Sequence, residues 1–334
     1  MLDVRGLSVT YRTAAGPVPA VRGVDLALPA GQRLGLAGES GCGKSTLAGA
    51  VLRLLPRGTT TSGEILLGGE DVRTMSWGRL RAVRWAGASI IFQGAMHSLN
   101  PVHRVGRQIA EPIVLHDPMS GARASGAGAS GVTVSDAAVR ERVAILMEQV
   151  GLNPARASAY PHELSGGQRQ RVMIAMALAC SPGLVIADEP TTALDVMVQA
   201  QVLRLIGDLV TDRGISLLLI SHDLAVLADT CDRLAVMYAG RVVEEGPARR
   251  VFADGRHPYS RALAAAFPRV GDPAARRSPR GLPGDPPDPA ALPTGCPFHP
   301  RCPLATDACT AAEPPLTAVG PGRAAACVHA EEWR

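Results

Sequence analysis

The chain has 334 residues, 46% hydrophobic and 19% charged, with a net charge of +4 and a pI near 8.8; this is the make-up of a globular protein with one large domain and a smaller one, and it excludes a disordered chain. No apolar run reaches the ~18 residues of a bilayer span, and the N-terminal MLDVRGLSVTY lacks the basic flank and apolar core of a signal peptide, so a cytosolic protein is expected. Single scattered arginines (RRSPR at 276–280 is the one cluster) and only 3% aromatics suit a solvated surface and exclude a nucleic-acid partner from the expectation.

In chain order, LSVTY, GVDLAL and RLGLAG read as strands, Lys44 to Leu55 as a helix stopped by Pro56, and EILLGGEDV and ASIIF as strands again. Helical periodicity follows in Ala137–Val150, Gln168–Ala179 and Val196–Thr211. LVIAD and ISLLLIS are continuous apolar runs suited to strands buried on both faces. This alternation predicts an α/β fold around a mixed sheet. PMSGARASGAGASGVTVSD (118–136) interrupts it as a surface loop, and beyond Phe267 a Pro-rich linker leads to the tail. Cys42, Cys180 and Cys231 are scattered, as small buried residues would be, whereas Cys296, Cys302, Cys309 and Cys327 crowd into the tail.

Of the 34 Lys and Arg residues, Lys44 alone is lysine. Where composition favours arginine everywhere else, one surviving ammonium marks chemistry that a guanidinium does not perform. It lies in Gly38-Glu39-Ser40-Gly41-Cys42-Gly43-Lys44-Ser45-Thr46, a G-x-x-x-x-G-K-[ST] loop between a strand and a helix. Glycines there let backbone N–H groups curl around a phosphate chain, and the helix N-terminus presents about half a positive charge to the same anion. Lys44 reaches the β- and γ-phosphates as a compact point charge, and Ser45 is placed to ligate Mg²⁺. A bound nucleoside triphosphate is predicted.

LVIADE (184–189) ends in two acids. Asp188 is placed to hold Mg²⁺ through water, and Glu189 to polarise an attacking water as general base. Between the loop and these acids, Ser165-Gly166-Gly167-Gln168 opens a helix and forms a second anion-binding N-terminus. One triphosphate rarely needs two cradles, so the second is expected to close on a nucleotide held by another subunit.

GESGCGKST, the Gln93 of IIFQ, LSGGQ, LVIADE, ALD (193–195) and SHD (221–223) occur in this order. Through them residues 1 to 255 resemble the ATP-binding-cassette ATPases, whose core is a P-loop NTPase fold with a helical subdomain, here at about 94–180. The resemblance implies ATP and Mg²⁺ as cofactors. It implies that Tyr11 stacks on adenine, that Gln93 contacts Mg²⁺ and water while its loop senses a membrane partner, that Asp195 bridges two subunits, and that His222 holds the γ-phosphate. It also implies a head-to-tail dimer with two ATP molecules between P-loops and facing LSGGQ segments.

GAMHSLNPVHRVGRQIAEP after Gln93 and RHPYSRAL at 256–263 resemble the ATP-binding subunits of bacterial dipeptide and oligopeptide permeases, a group that includes nickel importers. The partners so implied are a second cassette subunit, in this family usually a paralogue, two transmembrane permease subunits and an extracytoplasmic binding protein, with this chain peripheral on the cytoplasmic membrane face. A soluble cassette ATPase of DNA repair or translation is the rival class. Residues 256–334 are expected to form an extension, its tail a small satellite. Its cysteines, spaced C-x5-C-x6-C-x17-C, suit an iron–sulfur cluster, zinc, or no ligand at all. The resemblance implies a [4Fe-4S] cluster on Cys296, Cys302, Cys309 and Cys327.

Overall fold

The computed structural model describes residues 1–94, 98–116, 135–192, 194–266 and 282–332. Most of the 118–136 loop, Ala193, RRSPR and the first part of the Pro-rich linker therefore lie outside the described residues. The strands are β1 (Leu2–Thr13), β2 (Gly16–Leu28), β3 (Arg33–Ala37), β4 (Thr60–Leu67), β5 (Glu70–Asp71), β6 (Ala88–Ile91), β7 (Leu184–Asp188), β8 (Ser216–Ser221), β9 (Arg233–Tyr238), β10 (Arg241–Pro247), β11 (Thr317–Gly320) and β12 (Arg323–Ala325). The α-helices are α1 (Lys44–Val51), α2 (Trp77–Val83), α3 (Val105–His116), α4 (Asp136–Gln149), α5 (Gly166–Ala177), α6 (Val196–Asp212), α7 (Leu224–Thr230), α8 (Ala248–Ala253), α9 (Pro258–Ala266) and α10 (Asp307–Ala311).

The chain divides into two compact units, and β8 carries it from one to the other after Leu218. The first unit holds Leu2–Leu28, Gln32–Arg73 and Leu219–Arg334. Its antiparallel sheet has the order β2-β1-β4-β5. Alternation sets the register: Leu2, Val4 and Val9 of β1 are buried and pair with Leu28, Leu26 and Val21 of β2. In the same unit β3 runs parallel to β9, and β10 pairs antiparallel with both β9 and β12. The tail is thus no detached satellite: β12 carries β11 and lengthens the sheet beside β10. Short three- and four-residue strands with few β-branched side chains left no periodic signal of this in the sequence.

Helix α1 ends four residues before the expected Leu55. Arg53 takes a left-handed φ of 50°, and the Leu54 N–H reaches back to the Gly49 carbonyl at 2.8 Å. That six-to-one bond is a Schellman stop, so the helix closes before Pro56 could act.

The second unit holds Met1, Pro29–Gly31 and Thr74–Leu218. In it β6 pairs in parallel with β7, and all five residues of β7 are buried. Ser135 caps α4 by accepting the Ala138 N–H, and Asp195 caps α6 by accepting the Val198 N–H. Among the described residues no helix is long and apolar enough to cross a membrane.

Candidate nucleotide site

In the first unit, β3 runs directly into the glycine loop and α1. Gly43 has φ 105°, and a Cβ there would stand 2.2 Å from the Ala20 carbonyl oxygen. At Gly38, φ is 151° and a Cβ would meet the Met237 carbonyl oxygen at 2.3 Å. Only glycine fits either place, so the backbone itself lines the cradle. Lys44 is 5% exposed, and its Nζ donates to the carbonyls of Gly38 at 2.8 Å and Glu39 at 2.9 Å. The ammonium therefore braces the loop from within while keeping its charge at it. Burial pushes the Cys42 thiol up, and Lys44 only partly offsets this; Cys42 serves as neutral packing. Ser40, Gly41 and Ser45 are exposed. The Tyr11 and Thr46 hydroxyls share a 3.0 Å hydrogen bond, tying β1 to the loop. His222 is exposed just after β8, and Asp223 behind it caps α7 through the Ala225 and Val226 N–H groups.

In the second unit, Asp188 is buried at the carboxyl end of β7. Glu189 follows with a φ of 44°. A non-glycine residue pays about 1–2 kcal/mol to stand in that region, and such strain collects at working sites. Gln93 Nε2 donates to Glu189 Oε2 at 3.0 Å, joining two residues of expected catalytic role across 96 positions. The Thr192 hydroxyl donates to the Glu189 carboxylate at 3.1 Å. Sequence reasoning missed Thr192, although it stands only three residues from the acid. Ser165 and Gln168 form a capping box: Ser165 Oγ accepts the Gln168 N–H at 3.3 Å, and Gln168 Oε1 accepts the Ser165 N–H at 3.0 Å.

The extension reaches the glycine loop, both lying in the first unit. The Glu39 N–H donates to the Tyr259 hydroxyl at 2.7 Å, and Arg301 grips the Glu39 carboxylate with two bonds of 2.7 and 2.9 Å. Tyr259 belongs to the HPYSRAL segment, in which sequence reasoning found a family marker and no chemistry. Burial holds the preceding His257 imidazole neutral, its pKa down at about 3, and its Nδ1 accepts the Tyr259 N–H. Glu244, completely buried, accepts the N–H groups of Arg256 and His257 and pairs with Arg323 at 3.1 Å.

All four tail cysteines are free thiols. Burial pushes Cys327 up to about 11, with Cys296, Cys302 and Cys309 each adding to the rise. Burial also raises Cys309, but hydrogen bonds with Thr306 and His329 outweigh it and hold this thiol below the ordinary value. Among the described residues no group of three or more His, Cys, Asp or Glu is drawn together tightly enough to hold a metal ion. Neither the cluster nor the zinc alternative gains support from this arrangement.

A family model described as ABC transporter matches residues 21–192, and one described as the C-terminal region of oligopeptide/dipeptide transporters matches 243–309. The oligopeptide transport ATP-binding protein OppD of Salmonella typhimurium is 45% identical over 327 residues, covering 98% of this chain and 93% of its own. OppD of Escherichia coli is 45% identical with 98% and 92% coverage. Among solved structures, the dimeric post-hydrolysis state of the ATP-binding cassette MJ0796, bound to ADP and Pi, superposes with a TM-score of 0.63 at 26% identity. It covers 75% of this chain and 99% of that one. The chain belongs to the ABC transporter ATPases. Within them it falls in the ATP-binding subunits of the dipeptide and oligopeptide permease family.

Proposed function

We propose that this chain is the motor of a peptide importer, binding and hydrolysing ATP on the cytoplasmic face of the membrane. The hydrogen-bonded Gln93–Glu189 pair beside buried Asp188 carries the reading, since it is what a cassette that hydrolyses ATP needs. Lys44 and the backbone of residues 38 and 40–46 hold the phosphates, and Ser45, Gln93 and Asp188 would hold Mg²⁺. Glu189 takes the proton of the attacking water, His222 steadies the γ-phosphate, and Tyr11 stacks on adenine. Ser165, Gly166, Gly167, Gln168 and Asp195 serve the ATP of a head-to-tail partner cassette. Two permease subunits and an extracytoplasmic binding protein complete the importer; the relatives' names and the matched C-terminal region support peptide as cargo.

For the tail, it is the family resemblance that favours a [4Fe-4S] cluster, on the free thiols of Cys296, Cys302, Cys309 and Cys327. Such a cluster would tie residues 296 to 327 into one folded piece. An anaerobic preparation should then contain iron and sulfide, and zinc without iron would remove the cluster.

The test of the motor is Glu189→Gln. We expect kcat to fall by about 10²–10⁴ with ATP still bound, and normal turnover would take Glu189 out of the mechanism. Purification from native membranes should bring two multi-span permeases and a second cassette; recovery alone or with nucleic-acid enzymes would overturn the importer.

A further inference from the structure

We infer that Arg301, far along the chain in the cysteine-rich tail, is a positioning residue for ATP. It masks the carboxylate of Glu39, an acid that the phosphate loop would otherwise present to a triphosphate. The inference rests on the glycine loop being the ATP site.

Glu39 is the second residue of that loop and is held at three separate groups. Its carboxylate meets Arg301 in a bidentate pair, with the two side chains 19% and 6% exposed. Its N–H is taken by the Tyr259 hydroxyl, and its carbonyl accepts Lys44 Nζ. Arg301 is itself fixed: Nε donates to the Pro283 carbonyl at 2.7 Å, and Nη1 to the Tyr238 hydroxyl at 3.2 Å. Its guanidinium also stands within 6 Å of the Tyr238 and Phe298 rings, at 5.9 and 5.8 Å. So well-restrained a fork spends little entropy on the pair.

The electrostatics explain why the pair belongs here. A phosphate loop attracts its ligand through N–H dipoles and one ammonium. A free carboxylate in the same loop would cancel the formal charge of Lys44 and repel a polyanion. Lys44 is not its partner: Nζ bonds the Gly38 and Glu39 carbonyls and not the Glu39 carboxylate. The guanidinium of Arg301 is, from a segment 262 residues away. Arginine suits the task because its planar fork engages both carboxylate oxygens at once.

Binding of AMP-PNP with Mg²⁺, measured by calorimetry on the purified full chain, tests this. Arg301→Met should weaken Kd about tenfold, equivalent to ~1.4 kcal/mol, and the deficit should shrink at high salt. Glu39→Gln alone should stay within about twofold of wild type, and Arg301→Met combined with Glu39→Gln should return to that same range, because the harmful charge is gone. A double variant as weak as Arg301→Met would overturn the masking role, since lost tail packing would not be cured at residue 39. So would an Arg301→Met chain that binds like wild type. If the methionine variant does not fold, Arg301→Lys replaces it: charge is kept, binding within about threefold is expected, and a tenfold loss overturns the proposal. Lys44→Ala is the separate control; wild-type affinity there would remove the loop as the ATP site, whatever Arg301 does.

Discussion

Two helices of this chain carry glycine at their N-termini, and their first turns are finished in different ways. Helix α1 starts at left-handed Gly43, which offers no side chain to cap it. Helix α5 starts at Ser165, whose hydroxyl and the Gln168 amide satisfy each other's backbone N–H groups. An uncapped first turn leaves orphan donors for an anion. A turn closed by its own side chains gains by binding only if a ligand replaces or adds to those bonds. On the proposed function, the first cradle would take ATP on a single chain, whereas the second would meet only the nucleotide that a partner cassette brings close.

The sharpest way to break this contrast is Lys44→Ala. We expect a loss of about 10²–10³ in ATPase rate, the scale for removing one fixed donor from a developing anion, and turnover near wild type would end the account. Gly43→Ala should also abolish nucleotide binding, because its Cβ would strike the Ala20 backbone. Gly166→Ala should fold normally, its Cβ meeting only the Leu194 Cδ2 at 3.3 Å. Thermal melts and AMP-PNP titrations of the two variants compare the cradles directly.

Behind the first cradle stands His257. Its folded pKa of about 3 lies below the ~6.5 of an unfolded histidine. Between these values the unfolded chain binds a proton that the folded one does not. The stability from this site is thus whole above about pH 6.5 and falls as pH drops, by about 2 kcal/mol at pH 5. Melting wild type and His257→Asn at pH 7 and pH 5 should show the gap between them closing in acid; a constant gap would contradict the buried neutral imidazole. The smallest effect is expected for Ser165→Ala, about 1 kcal/mol of stability from the lost cap. Its assembled cassette pair should hydrolyse ATP more slowly while the single chain keeps its AMP-PNP affinity, and a weakened single chain would blur the distinction between the cradles.

Much of this was legible in the sequence wherever chemistry and chain order coincide. The glycine loop follows a strand and opens a helix, and LVIAD is a buried strand that delivers Asp188 and Glu189. Capping of α5 by Ser165 was also readable, since cap and helix are neighbours. What stayed hidden was set by distance along the chain. Nothing near Glu39 announces Tyr259 or Arg301, because a hydrogen bond across 220 or 262 residues leaves no periodicity. Thr192 on Glu189 was missed for a different reason: a threonine after an acid is too common to signal a contact.

Glu244 sets a limit on how short a working cassette of this kind could be. A chain ended after Gly255 would still carry its ABC transporter match at 21–192. It would lose Arg323 and the two N–H groups that satisfy a carboxylate with no solvent access. It would also lose β12, turning β10 into an open sheet edge of the kind that recruits other chains. A minimal cassette trimmed to the family core should therefore come out of cells as aggregate, while one that keeps the extension remains a separate molecule.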